Sequence, residues 1–135
     1  MDYVHKDGRI IARLDPGDKV IKKIRELREK EDIENGFFYG IGAVDEVTLG
    51  HYDVEEQDYR EKEFEQQFEV TSFSGNISPD KVHAHIQLGK RDFSSIGGHC
   101  SSAKVSGTFE IIIFLGETPL EHELDERTGL DVFDL

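Results

Sequence analysis

The sequence predicts an α+β fold: an antiparallel β-sheet domain with one main helix. Three observations carry this. Extended, alternating segments recur along most of the chain. A single stretch near residue 20 shows helical spacing of its apolar residues. Strands accompanied by one dominant helix suit an antiparallel sheet with a helix on one side. The 135 residues fit one domain, 1–135, around one core. Only 36% of residues are hydrophobic, but they come in blocks, which is compatible with a packed interior.

Residues 3–14, YVHKDGRIIARL, read as two strands around Asp7-Gly8, a hairpin signal. Asp15-Pro16-Gly17-Asp18 reads as a helix start, with Asp15 as cap and Pro16 in the first helical position. Asp18 would then favour the positive end of the helix. Val20, Ile21, Ile24 and Leu27 follow at helical spacing, so the helix should run to about Lys30 and stop by Asn35-Gly36.

From Gly36 onward the pattern is that of strands. GFFYGIGAV carries Gly40 and Gly42, which suggest a bulge or close backbone packing. VDEVTLGHYDV alternates as a strand on a sheet face. EEQDYREKE, residues 55–63, is a charged connection or a short exposed ribbon. FEQQFEVTSFSGNI is a strand expected to close at Ser74-Gly75-Asn76. VHAHIQLGK is another, and KVSGTFEIIIFLG, the most apolar segment, is expected at the centre of the sheet. The tail, residues 118–135, is expected to pack across the sheet edge.

Composition narrows the function. Sixteen basic against 29 acidic residues leave a net charge of −13. Nucleic-acid binding draws mainly on phosphate neutralisation, and this chain lacks that footprint. Lys19, Lys22, Lys23, Arg25 and Arg28 form one local basic run, which reads first as a solvated helix face. No apolar run approaches the roughly 20 residues that cross a bilayer. The N-terminus lacks an apolar signal core, so a cytoplasmic location is expected. The single cysteine, Cys100, suits a reducing compartment.

The informative segment is Val82-His83-Ala84-His85-Ile86-Gln87-Leu88. Side chains alternate along a strand, so His83 and His85 share one face while Val82, Ala84, Ile86 and Leu88 enter the core. Two imidazoles so placed can reach one metal ion, and neutral imidazole suits zinc, copper, iron or nickel. Gly97-Gly98-His99 offers a third ligand, His99, where the glycines permit close approach or a sharp turn. Three protein ligands with an open position are the pattern of a catalytic or ligand-binding zinc. The competing reading is three solvated surface histidines, and spacing alone leaves both open. His5, His51 and His122 read as ordinary polar residues, although His51 lies where it could reach the site.

Other chemistry is thin. Cys100 reads as a buried structural thiol. Ser94, Ser95, Ser101 and Ser102 read as a polar loop, without a nucleophile elbow. Gly40-x-Gly42 lacks the dinucleotide fingerprint. Glu110 interrupts an apolar strand, and is either a group supporting the metal ligands or a charge at a strand edge.

Taken together, these segments resemble the plants-and-prokaryotes-conserved (PPC) domain family. The matching pieces are RLDPGDKV at 13–20, GFFYGIGAVDEVTLG at 36–50, FEVTSFSGNI at 68–77, HAH at 83–85, GGH at 97–99, GTFEIIIF at 107–114 and LDERTGLDVFDL at 124–135. The resemblance implies an antiparallel α+β fold and a homotrimer. It also implies that His83, His85 and His99 match histidines that bind a metal, and a divalent ion, zinc first, is expected there. It departs at His122, where members often carry Arg. The family's DNA-binding label rests on AT-hooks in its plant members, and no R-G-R-P motif is present. DNA binding by the isolated chain is therefore not expected. The H-x-H and G-G-H pieces are also similar to those of acetolactate decarboxylase, a zinc enzyme of related fold. A cupin is a weaker match, because Leu88, Gly89 and Lys90 stand where its glutamate would be. Two functions follow: a homotrimeric metal-holding binding or regulatory module, or a zinc enzyme acting on a small oxo- or hydroxy-acid.

Overall fold

A computed structural model describes residues 1–135. The chain opens with a hairpin of β1 (Asp2–Lys6) and β2 (Arg9–Leu14). Its turn residues Asp7 and Gly8 both have positive φ, 54° and 70°, the two-residue turn that matches strand twist.

The helix begins later than the sequence suggests. Asp15-Pro16-Gly17-Asp18 is a β-turn, closed by Asp18 N–H to the Asp15 carbonyl at 3.0 Å, with Gly17 at φ 90°. Proline second and a left-handed glycine third are the signature of a type II turn, which here prevails over the helix-start reading. The helix α1 spans Val20–Glu31, with Lys19 at its start making no side-chain cap. It ends on Asp32 in the left-handed conformation, whose N–H returns to the Arg28 carbonyl. Val20, Ile21, Ile24 and Leu27 are buried as expected.

Of the next four strands, all but the histidine-bearing one are longer than the segments predict. β3 is Gly36–Asp53, β4 Asp58–Ile77, β5 Val82–Gly89 and β6 Ser95–Leu115. The charged 55–63 segment is mostly ribbon, since β4 begins at Asp58. Gly75 does not end a strand but lies inside β4, opposite Ala84. Gly40 and Gly42 flank a register shift in β3, the predicted bulge. A Cβ at Gly42 would stand 2.4 Å from the Thr108 carbonyl oxygen, so only glycine lets β6 approach there.

These six strands form one sheet in the order β1-β2-β6-β3-β4-β5, with every pairing within it antiparallel. The outermost strand β5 also pairs with the start of β6, so β3 to β6 close on themselves. The apolar segment of β6 does lie centrally, between β2 and β3. Its inward side chains Phe109, Ile111 and Ile113 join Phe38 and Phe73 in a core of 26 buried residues, to which α1 contributes Val20, Ile21, Ile24 and Leu27.

The opposite face of that sheet is apolar and uncovered. Val4, Ile11, Ile112 and Tyr39 stand in register across four strands, with Phe37 beside Phe114. All six are exposed. Glu110 belongs to this face, paired in register with Arg13 and Ile41, and is exposed.

The tail forms its own two-stranded sheet, β7 (His122–Asp125) and β8 (Leu130–Phe133). It leans on the turn end of β3 and the start of β5. The Tyr52 hydroxyl donates to the Thr128 carbonyl at 2.7 Å, and Lys81 reaches Asp131 at 3.5 Å. No helix is long and apolar enough to cross a membrane.

Candidate metal centre

Strand alternation places β5 as read. Val82, Ala84, Ile86 and Leu88 are buried, while His83, His85 and Gln87 point outward. Closure of the sheet then sets His99 of β6 directly across from His85. The two glycines before it are strand residues, not a turn. A Cβ at Gly97 would lie 2.7 Å from the Ile86 carbonyl oxygen, and one at Gly98 would lie 2.7 Å from that of Gly50. Their role is the close-approach one: β6 threads between β5 and β3 only because neither residue has a side chain.

The three imidazoles converge. Ring centroids are 5.1 Å apart for His83–His85, 5.2 Å for His83–His99 and 5.8 Å for His85–His99. One ligand nitrogen from each can be chosen so that all lie within 4.8 Å of one another. Zinc–nitrogen bonds of about 2.0–2.1 Å would separate tetrahedral ligands by about 3.4 Å, so a modest ring adjustment closes the trio on one ion.

Charge also fits a cation. Burial, then the neighbouring His85 and His99 rings and Lys81, lowers the His83 pKa to about 4. Burial and His85 also lower that of His99, against an opposing pull from Glu61. Both rings are therefore neutral at pH 7, the form that ligates metal. This donor set can hold a borderline metal and leave a coordination position facing solvent.

The trio faces a cavity of about 560 Å³. Its walls include Tyr52, Tyr59, Val54 and Leu130, and Lys81 stands beside the histidines. The Tyr59 and His99 rings stand nearly perpendicular, with centroids 6.0 Å apart. Its hydroxyl donates to Glu61 at 2.9 Å, and Ser101 donates to the same carboxylate. These bonds, Ser101 first, hold the Glu61 carboxyl below its usual range.

The remaining sequence candidates fall elsewhere. Glu110 does not support the histidines: it lines a separate apolar concavity with Tyr39, Ile41 and Ile112. The premise that it is buried fails because its side of β6 is the uncovered face. Cys100 is buried, which pushes its thiol up to about 12 and leaves it inert. His5 pairs with Glu31 at 2.9 Å, and His122 packs on Phe133. His51 lines the cavity without joining the trio. The serines expected in a loop, Ser95, Ser101 and Ser102, are in β6, and only Ser94 remains in the turn.

Sequence reasoning missed Tyr59, Glu61 and Lys81. The alternation that paired His83 with His85 also reaches Lys81, two residues earlier. No local signal links Tyr59 to His99.

The sequence matches the family model of the Plants and Prokaryotes Conserved (PCC) domain over residues 1–116. No curated protein matches it in sequence. Among solved structures, a candidate DNA-binding protein from Bacteroides thetaiotaomicron superposes with a TM-score of 0.93 at 25% identity, covering 98% of this chain and 96% of that one. A metal-containing protein from Archaeoglobus fulgidus is 32% identical, with a TM-score of 0.86 over 99% of this chain and 97% of that one. A Staphylococcus aureus protein similar to alpha-acetolactate decarboxylase is 12% identical, with a TM-score of 0.57 over 80% of this chain and 52% of that one; the likeness is of fold alone.

Proposed function

Because the chain belongs to the Plants and Prokaryotes Conserved (PCC) domain family, with a metal-containing relative at 32% identity, we propose that it is a metal-binding protein whose His83, His85 and His99 hold one divalent ion, zinc first. The observation that carries this is the convergence of three outward imidazoles from two paired strands within 4.8 Å.

In this reading the protein is a homotrimeric binding or regulatory module. The uncovered apolar sheet face supports association. Ile111-Ile112-Ile113-Phe114 is apolar on both sides, as in a strand buried on both faces, yet Ile112 and Phe114 are exposed in the single chain. Copies of the chain packing there would cover them. Duplex DNA is not the expected partner. Of the helix lysines, Lys23 is held by Glu26 at 2.9 Å, and the chain as a whole carries a net charge of −13.

A second reading, a zinc enzyme acting on a small oxo- or hydroxy-acid, is favoured by one feature: the trio opens into the 560 Å³ cavity, a size that holds a small ligand. A metal there would supply Lewis-acid polarisation of a carbonyl or a bound water of lowered pKa.

Metal analysis of protein purified without a histidine tag tests the proposal. The parent should hold close to one ion per chain and His85→Ala should lose most of it. Equal metal in parent and variant would overturn the ligand assignment.

A further inference from the structure

The cavity over the histidines carries little of the molecule's acidity. The chain carries 29 acidic side chains, yet Asp131 is the one carboxylate lining this cavity. It is opposed there by Lys81, which follows the β5 alternation onto the histidine face. With a divalent ion on the trio, the lined space is net positive within an acidic protein.

Lys81 is only loosely engaged. Its ammonium is 3.5 Å from Asp131, longer than the 2.7–2.9 Å or so of a strong charge-assisted bond. Asp131 sits on the β7–β8 hairpin and its side chain is 57% exposed, whereas that of Lys81 is 27% exposed. The more enclosed partner is therefore the cation, and an entering anion can replace Asp131 as its counter-charge. Beside His51, the rest of the wall is largely apolar or aromatic, with Tyr52, Val54, Tyr59, Val82 and Leu130. Bare inorganic anions gain nothing from such a wall, and a short organic body does.

We infer that this cavity binds a small monocarboxylate with a short apolar body, its carboxylate paired with Lys81 and its second oxygen directed to the metal position. The inference deepens the metal-site proposal and rests on it. Asp131 acts as the internal stand-in for the ligand's carboxylate, so the hairpin and the ligand compete for Lys81.

Calorimetric titration of the metal-loaded protein with lactate, its neutral amide lactamide, and inorganic phosphate tests this. Lactate should bind at least tenfold more tightly than lactamide or phosphate. Lys81→Met should keep the parent's metal content and weaken lactate by tenfold or more, Lys81→Arg should restore part of it, and Asp131→Asn should tighten it severalfold. Lactate bound no better than lactamide, phosphate bound as well as lactate, or Lys81→Met matching the parent would each overturn the carboxylate assignment. That failure is distinct from failure of the metal site, which metal content reads before any titration begins.

Discussion

Substituting Gly75 by alanine should separate β4 from β5 at the histidines. Gly75 faces Ala84 across the two strands. A Cβ there would lie 2.0 Å from the His83 carbonyl oxygen, 2.5 Å from Phe38 Cζ and 2.9 Å from Ala84 Cα. Even a close carbon–oxygen contact needs about 3.3 Å, so something must move by about 1.3 Å. No neighbour can yield cheaply. Two are backbone atoms, and Phe38 is fully buried and stacked on Phe73 at 5.1 Å. Overpacking a core costs about 1–3 kcal/mol, and relief here must also strain the β4–β5 ladder, which places Gly75→Ala at about 2–3 kcal/mol. For a chain of this length each kcal/mol shifts Tm by about 3–5 °C, so Tm should fall by about 6–15 °C. The displaced carbonyl belongs to His83, so metal retention should fall too. Gly107→Ala is the control. It is an exposed strand residue whose added Cβ meets only Ala43 Cβ, at an ordinary 3.5 Å, and it should be neutral or slightly stabilising. Scanning calorimetry of both metal-free variants, with metal content beside it, reads the outcome. Gly75→Ala melting within about 2 °C of the parent with full metal content would refute the reasoning.

Three further outcomes follow from the same geometry. His83 is held at about 4 in the folded state against an ordinary 6.5. The unfolded chain thus takes up its proton first, and the metal-free protein should be fully stable above about pH 6.5 and lose stability as pH falls toward 4. His83→Gln should flatten that decline, and an equally steep decline in the variant would contradict the assignment to His83. Light scattering should give a trimer mass, reduced by Phe114→Glu on the apolar face; a monomer mass for the parent across a wide concentration range would sink the assembly. A mobility-shift titration at low salt should show no duplex binding, and tight salt-sensitive binding abolished by Lys22→Glu with Lys23→Glu would restore a DNA role.

Much of this protein was determined locally, by periodicity. A period of two over Val82–Leu88 was enough to put His83 and His85 on one outward face, because backbone geometry alone alternates the side chains. A period near 3.6 was enough to bury Val20, Ile21, Ile24 and Leu27. Local rules failed where one segment satisfied two of them. Asp15-Pro16-Gly17-Asp18 suits both a helix start and a type II turn. What selects the turn is non-local: Gly17 N–H bonds the Val105 carbonyl at 2.8 Å, and Val105 N–H bonds Asp18 at 2.9 Å, pinning the turn to β6.

The candidate site depended on tertiary structure for its third histidine. His99 lies fourteen residues beyond His85, and nothing in that interval states a register. Only the closure of β5 onto β6, through two glycines that tolerate backbone at 2.7 Å, makes them opposite neighbours. Glu110 shows the converse. Its apolar surroundings in sequence imply burial, but they belong to alternate faces of one strand, and only one of those faces is covered by this chain. Burial depends on what packs above a residue. That is settled between strands and between copies of a chain, beyond the reach of any single segment's pattern.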